Sequence, residues 1–198
     1  DPEISSWNVY RKARPLKDPV TGEVLGFEAA YLGQARVSAQ AGVLAPDAGG
    51  DTQTAREGAP IPASLVVTSF KQEIGKGDRL LPAGRADLPS YVPHAPEQEV
   101  TGRVVSIYNG VGGAGRHDVV AISVGKRDQI EVGHVLALHR NRGEAVYREE
   151  NVGAAMRYKL PEQRYGLVFV FRVFERLAYA LVMESNGPAT ISDSVRKP

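Results

Sequence analysis

The chain has 198 residues and no cysteine, with 24 Lys and Arg against 23 Asp and Glu, a formal charge of +1. Zero cysteine excludes a disulfide scaffold, a thiol nucleophile and a thiolate metal site. The balanced charge argues against a chain built mainly to grip phosphate backbones, which carries a clear basic excess, and the length suits one large domain or two small ones.

In chain order, Val9 to Arg11 reads as a short strand before a proline-containing turn, and Asp18-Pro19-Val20-Thr21-Gly22 as a turn. Val24 to Val37 (VLGFEAAYLGQARV) reads as one or two strands with a glycine at Gly33. Residues 39–63 (AQAGVLAPDAGGDTQTAREGAPIPA) are rich in Ala, Gly, Pro, Asp and Thr without apolar periodicity, which predicts a long mobile surface loop. Leu65 to Phe70 is a further strand. Between Pro82 and Glu99 stand Pro82, Pro89, Pro93 and Pro96, each fixing its own φ and biasing its predecessor toward extended geometry. The prolines predict a semi-rigid linker over 91–99 that divides an N-terminal β module, 1–90, from a C-terminal one, 100–198.

Beyond the linker, Val100 to Tyr108, Asp118 to Val124 and His134 to His139 read as strands, and Gly166 to Glu184 as a hairpin. In that hairpin Leu167, Phe169, Phe171 and Val173 alternate with Val168, Val170, Arg172 and Phe174, the period of a strand. The Phe-bearing side has core spacing; a helix over Phe171 to Met183 is the competing assignment. The apolar stretch from Tyr165 to Met183 contains Arg172, Glu175 and Arg176, which argues against a membrane span.

An internal echo links the halves. Ile74, Gly77, Asp78 and Leu80 share the pattern I-x-x-G-[DH]-x-L with Ile130, Gly133, His134 and Leu136, each following a Val-Val pair. A buried Ile closing a turn and a Gly at positive φ reversing the chain into the next strand explain the pattern. The fold class expected is therefore mainly β: two small barrel- or sandwich-like modules with short helical content.

Chemical motifs are sparse. Gly110-Val111-Gly112-Gly113-Ala114-Gly115 matches G-x-G-x-x-G, but that fingerprint binds a pyrophosphate only where a helix begins, and β-branched Val119-Val120-Ala121-Ile122 follows. A flexible glycine loop is the plainer reading. His94, His117, His134 and His139 fall in no metal-ligand spacing and read as scattered surface residues. Glu149-Glu150 reads as a solvated pair in a polar run. Tyr10, Arg11, Lys12 and Arg14 interleave aromatic and basic groups in a way that could line a nucleic-acid or glycan groove. Catalytic, cofactor-binding and metal sites are all expected to be none, and no cofactor or nucleic-acid partner is expected.

Five segments together carry a family resemblance: VYRKARPLKDPVTGEVLGFEAAYLGQARV, IGKGDRLLP, VTGRVVSIYNGVGGAGRHDVV, GKRDQIEVGHVLALHR and LPEQRYGLVFVFRVFERLAYALVMES. In order, they resemble the region downstream of the LysM module in LysM-containing envelope proteins of Gram-negative bacteria, over nearly the whole chain apart from 39–63. The resemblance implies a periplasmic or envelope protein, non-enzymatic and associated with peptidoglycan through a LysM module that is not in these 198 residues. It implies a C-terminal portion of a longer protein that presents a protein- or wall-interacting surface, with an envelope protein as partner, and it transfers no glycan-binding residue. The competing function is a wall-modifying or nucleotide-dependent enzyme using the Gly110–Gly115 loop.

Overall fold

The computed structural model describes residues 6–43, 60–84, 91–108, 110, 112–148 and 155–198. The protein is almost entirely β, and its one helical element among the described residues is a 3-10 turn, Lys126–Asp128. Its contacts divide it into two compact units, 1–14 with 29–87 and 15–28 with 88–198.

The first unit is a four-stranded antiparallel sheet built from β1 (Ser6–Tyr10), β4 (Tyr31–Ala39), β7 (Ser64–Phe70) and β8 (Arg79–Pro82), in the order β7-β4-β1-β8. Val9, Leu32 and Ala35 form its buried cluster, with Leu65 and Ile74 packed beside them. Gly33 lies where β4 crosses Phe70: a Cβ there would sit 2.2 Å from the Ser69 carbonyl oxygen. The segment expected to be a mobile loop is bounded by structure at both ends. β4 runs to Ala39, and β5 (Gly42–Val43) pairs with β6 (Pro60–Ile61). Residues 44–59 lie outside the described residues.

The second unit is a closed six-stranded antiparallel barrel. Its strands are β9 (Thr101–Ile107), β10 (Val119–Ile122), β11 (Val135–Arg140), β14 (Gln163–Val173), β15 (Ala178–Ser185) and β16 (Ser194–Arg196), in the order β10-β15-β14-β11-β16-β9. Closure leaves these strands no free edge. The interior is filled with small aliphatic side chains, among them Val104, Ile122, Leu136, Leu138, Val168 and Val170. At roughly 1.5–3 kcal/mol for each fully buried Val, Leu or Ile, this cluster is the main stabilising term of the unit.

Residues 15–28, placed by the sequence reading in a contiguous N-terminal module, belong to this second unit. β2 (Arg14–Lys17) and β3 (Val24–Glu28) form a hairpin whose Leu16 and Leu25 pack on Val105, Ala121 and Leu177 at the barrel's outer surface. That cover explains why β9 and β10 are apolar on both faces. The Glu28 carboxylate, buried at the hairpin's end, accepts hydrogen bonds from Ser106 Oγ and from the Tyr179 hydroxyl at 3.2 Å.

Residues 91–99, expected as a linker, are seated on the barrel: Pro96 is buried and Lys197 Nζ donates to the Glu97 carbonyl oxygen at 2.8 Å. Phe171 to Met183 is not helical but forms the end of β14, a turn and most of β15. The inward face of β14 carries Val168 and Val170, whereas Phe169 and Phe171 are only half-buried on the other face. A narrow barrel favours the smaller side chains inside, and Phe169 instead packs against Tyr91, 6.0 Å between ring centroids. No helix of the described residues is long and apolar enough to cross a membrane.

Candidate functional site

Four strand entries in this chain share one construction. Turns 75–78, 115–118, 131–134 and 190–193 each close with a backbone hydrogen bond from the fourth residue's N–H to the first residue's carbonyl. Each has positive φ at its third residue: Gly77 (+99°), His117 (+71°), Gly133 (+105°) and Ser192 (+79°). This is type II geometry, which reverses the chain tightly at the expense of a left-handed residue. In each, the fourth side chain reaches back to accept the first residue's N–H. Asp78 accepts from Gly75 at 2.8 Å, Asp118 from Gly115 at 2.7 Å and Asp193 from Thr190 at 2.8 Å. At the remaining turn the acceptor is His134 Nδ1, 3.2 Å from the Glu131 nitrogen. The echoed glycines thus do what their sequence pattern predicts, and two further copies use His117 and Ser192 where the pattern had Gly.

The His134 turn lies under residues 91–100. His94 and His134 form an isolated parallel β-bridge, with His94 N–H donating to the Gly133 carbonyl at 3.0 Å and Val135 N–H to the His94 carbonyl at 2.8 Å. The two imidazoles meet edge to face, 4.8 Å between centroids. Gly133 is required twice over: its φ is left-handed, and a Cβ would meet His94 Cε1 at 3.0 Å and the Val92 oxygen at 3.1 Å. A cavity of about 330 Å³ opens beside the pair, with Glu97, Asp128, Gln129 and Glu131 in its wall. His134 is 6% exposed, and burial foremost, then the neighbouring His94, lowers its pKa below the ordinary imidazole value, with Glu131 opposing.

His94, Glu131 and His134 present ligand-type atoms within 4.8 Å of one another, a grouping of the kind that holds a metal. The histidines, 40 residues apart, had read as scattered. Their hydrogen bonds decide what they can offer. His94 Nδ1 lies 2.9 Å from the Val92 carbonyl, which can only accept, so Nδ1 carries the proton and Nε2 keeps its lone pair. His134 is the reverse: Nδ1 accepts from Glu131 N–H, so its proton is on Nε2 and its lone pair is occupied. A metal needs a bare lone pair from each imidazole. Binding through both would break the acceptor bond of the turn, so the cluster is built as a hydrogen-bonded structural pair rather than a preformed ligand set.

A second feature projects from the barrel between β11 and β14. β12 (Glu144–Arg148) pairs with β13 (Ala155–Lys159), with Ala145 opposite Tyr158 and Tyr147 opposite Met156. Period two puts Ala145, Tyr147, Met156 and Tyr158 on one face and Glu144, Val146, Arg157 and Lys159 on the other. Tyr147, Met156 and Tyr158 are each more than half exposed. In the sequence the hairpin falls in the polar run that holds Glu149-Glu150; there Glu144, Arg157 and Lys159 alternate with Ala145, Tyr147, Met156 and Tyr158, with Val146 the apolar exception.

No family model matches this chain, and no curated protein matches it.

The remaining sequence candidates are placed as follows. After Gly115 the chain makes the 115–118 turn and enters β10, so no helix N-terminus faces the Gly110–Gly115 loop and the pyrophosphate geometry is not built there. Ala114 bridges Ala189, and a Cβ on Gly113 would strike Pro188 Cβ at 2.7 Å, a packing reason for that glycine. Asn109, Val111 and the Glu149-Glu150 pair lie outside the described residues. His117 occupies a left-handed turn position. His139 sits on β11, its pKa lowered by burial first and then by Arg196 and Arg164, with Glu162 opposing. Tyr10 packs edge-on against Tyr31, and Arg11 pairs with Asp78 and donates to the Glu73 carbonyl. Arg172 lies over Phe174, and Arg176 pairs with Glu23 at 3.1 Å.

Proposed function

We propose that this chain is a non-catalytic part of a cell-envelope protein, accessory to the peptidoglycan-binding LysM module of the family it resembles, and that it presents a protein-docking surface. The observation that carries the reading is the exposed amphipathic hairpin β12–β13. Its Tyr147, Met156 and Tyr158 are residue types enriched at protein interfaces, gathered on one face with no cover among the described residues. Beyond its cross-strand contacts a solvated hairpin gains little stability from such a face, and we assign its use to a partner.

The face selects its occupant by its apolar character: Glu144, Arg157 and Lys159 stand on the opposite face, with Glu144 engaged by Arg157 at 3.8 Å. The matching partner is an envelope protein with an apolar cleft that takes Tyr147, Met156 and Tyr158. Anchoring to the wall is assigned to LysM, not to this region.

Sedimentation with purified sacculi tests the division of labour. The 198-residue chain alone is expected to stay in solution, and a fusion to a LysM module to co-sediment. Co-sedimentation of the chain alone, abolished by Tyr147→Ser, would assign the hairpin to glycan and overturn the reading. A nucleotide-induced rise in melting temperature would favour the enzymatic alternative, since a ligand that binds only the native state stabilises it.

A further inference from the structure

The four equivalent turns differ in one respect: three use Asp as the reach-back acceptor and the fourth uses His134. A carboxylate accepts a hydrogen bond at every pH above its low titration range, whereas an imidazole nitrogen accepts only while unprotonated. Turn closure does not require histidine, because Asp does the same work three times in this chain. The exceptional turn is also the one that the 91–100 segment is laid against, through the paired backbones of His94, Gly133 and Val135.

We propose that His134 is a proton-operated latch: a proton taken up at Nδ1 turns an acceptor into a donor facing the Glu131 N–H, opens the 131–134 turn and releases residues 91–100 from the start of β11. The proton comes from solvent and forms one N–H bond, and the Glu131-to-His134 hydrogen bond is what is lost. No other reactant enters. The imidazolium then carries N–H at both nitrogens and lies edge to face with His94.

The groups facing His134 come from three places. Glu131 stands in its own turn, His94 and Glu97 on the overlying segment, and Asp128 at the end of the 3-10 turn, the last two lining the shared cavity. Glu131 favours the imidazolium; burial, the largest influence, and then His94 oppose it. With the native pKa lowered, the closed latch binds fewer protons than the open one. Closure is therefore fully present above the ordinary imidazole value of about 6.5 and is lost as pH falls through the native value. The opening constant rises about tenfold per pH unit between the two.

The test is residue-resolved amide exchange of the full chain, corrected for intrinsic rate, at about pH 7.5 and about pH 5, with nitrogen-detected titration of the imidazoles. Protection at His94, Glu131 and Val135 should fall about tenfold per unit below pH 6.5 in the wild type and in His139→Asn. It should stay level in His134→Asn, which offers an uncharged acceptor, and in His134→Asp, which copies the other turns. His134 should show the Nε2–H tautomer and titrate below 6.5. Level protection in the wild type, an equal loss in His134→Asn, or an Nδ1–H tautomer would each overturn the latch. So would stabilisation by micromolar zinc that His134→Asn removes, because it would show the lone pair to be available. The tautomer is read on the wild type, so the test stands even where a variant fails to fold.

Discussion

Replacing Gly133 by Ala, with Gly77→Ala as its internal control, separates backbone conformation from contact. Both glycines sit at the third position of the same turn, at φ +105° and +99°. A Cβ at Gly77 meets nothing within 4 Å; at Gly133 it meets His94 Cε1 at 3.0 Å, the Val92 oxygen at 3.1 Å and His94 Nδ1 at 3.3 Å. Both variants incur the left-handed penalty of about 1–2 kcal/mol, less about 0.4–1 kcal/mol recovered by stiffening the unfolded chain. Gly77→Ala should therefore destabilise by about 1 kcal/mol. Gly133→Ala adds an overpacking term of about 1–3 kcal/mol, because the crowding atoms belong to a segment pinned by two backbone hydrogen bonds; the total is about 2–4 kcal/mol. Urea unfolding reads both: Trp7, the sole tryptophan, reports the first unit, and amide exchange within β11 and β14 reports the second. Equal penalties, or a Gly133→Ala effect no larger than that of Gly77→Ala, would refute the close seating of residues 92–94 on the turn.

Other consequences follow from the same geometry. Among the described residues the first unit's buried cluster has three side chains against eighteen in the barrel, so Trp7 fluorescence should report unfolding at lower urea than exchange in the barrel. Tyr165 donates to Asp193 at 2.8 Å and Tyr179 to Glu28 at 3.2 Å. Burial first, then the carboxylate beside each, raises both phenol pKa values above the ordinary value near 10. The native state therefore holds those protons more tightly than the unfolded chain: stability is full below pH 10 and falls as pH rises beyond it, and Tyr165→Phe should flatten that fall in alkaline urea titrations. At Glu28, replacement by Ala leaves the half-buried Tyr179 hydroxyl without its carboxylate partner and should destabilise the β2–β3 hairpin's seat by about 1–3 kcal/mol in the same assay. Tyr147→Ser and Tyr158→Ser, on the solvated hairpin, should move the thermal midpoint by no more than the equivalent of about 0.5 kcal/mol.

How much of this was legible beforehand varies with the physical range of the cause. Runs rich in β-branched residues such as Leu65 to Phe70 and Val100 to Tyr108 announced strands because adjacent residues carry that information, and the Ile-x-x-Gly echo announced its turns because a left-handed residue must sit at a fixed offset. Two of the four turns stayed hidden because φ near +70° to +80° is tolerated by His117 and Ser192, so no glycine marked them. The reassignment of residues 15–28 depends on Leu16 and Leu25 finding Val105 and Leu177, contacts of long sequence separation that no local pattern encodes. The same holds for His94 and His134, brought together by a parallel bridge between the proline-rich segment and the barrel. Phe169 and Phe171 misled for another reason: alternation tells which residues share a face, not which face is inside, and a six-stranded barrel reserves its interior for Val168 and Val170.

The central claim, that one face of the β12–β13 hairpin is a protein-docking surface, is tested most directly by site-specific photo-crosslinking in cells. A photoreactive side chain is placed in turn at Tyr147, Tyr158, Val146 and Lys159. The first two lie on the apolar face and the last two on the charged one. The account predicts a discrete protein adduct of one size from positions 147 and 158 and none from 146 and 159; no adduct at any position, or the same adducts from both faces, would contradict it.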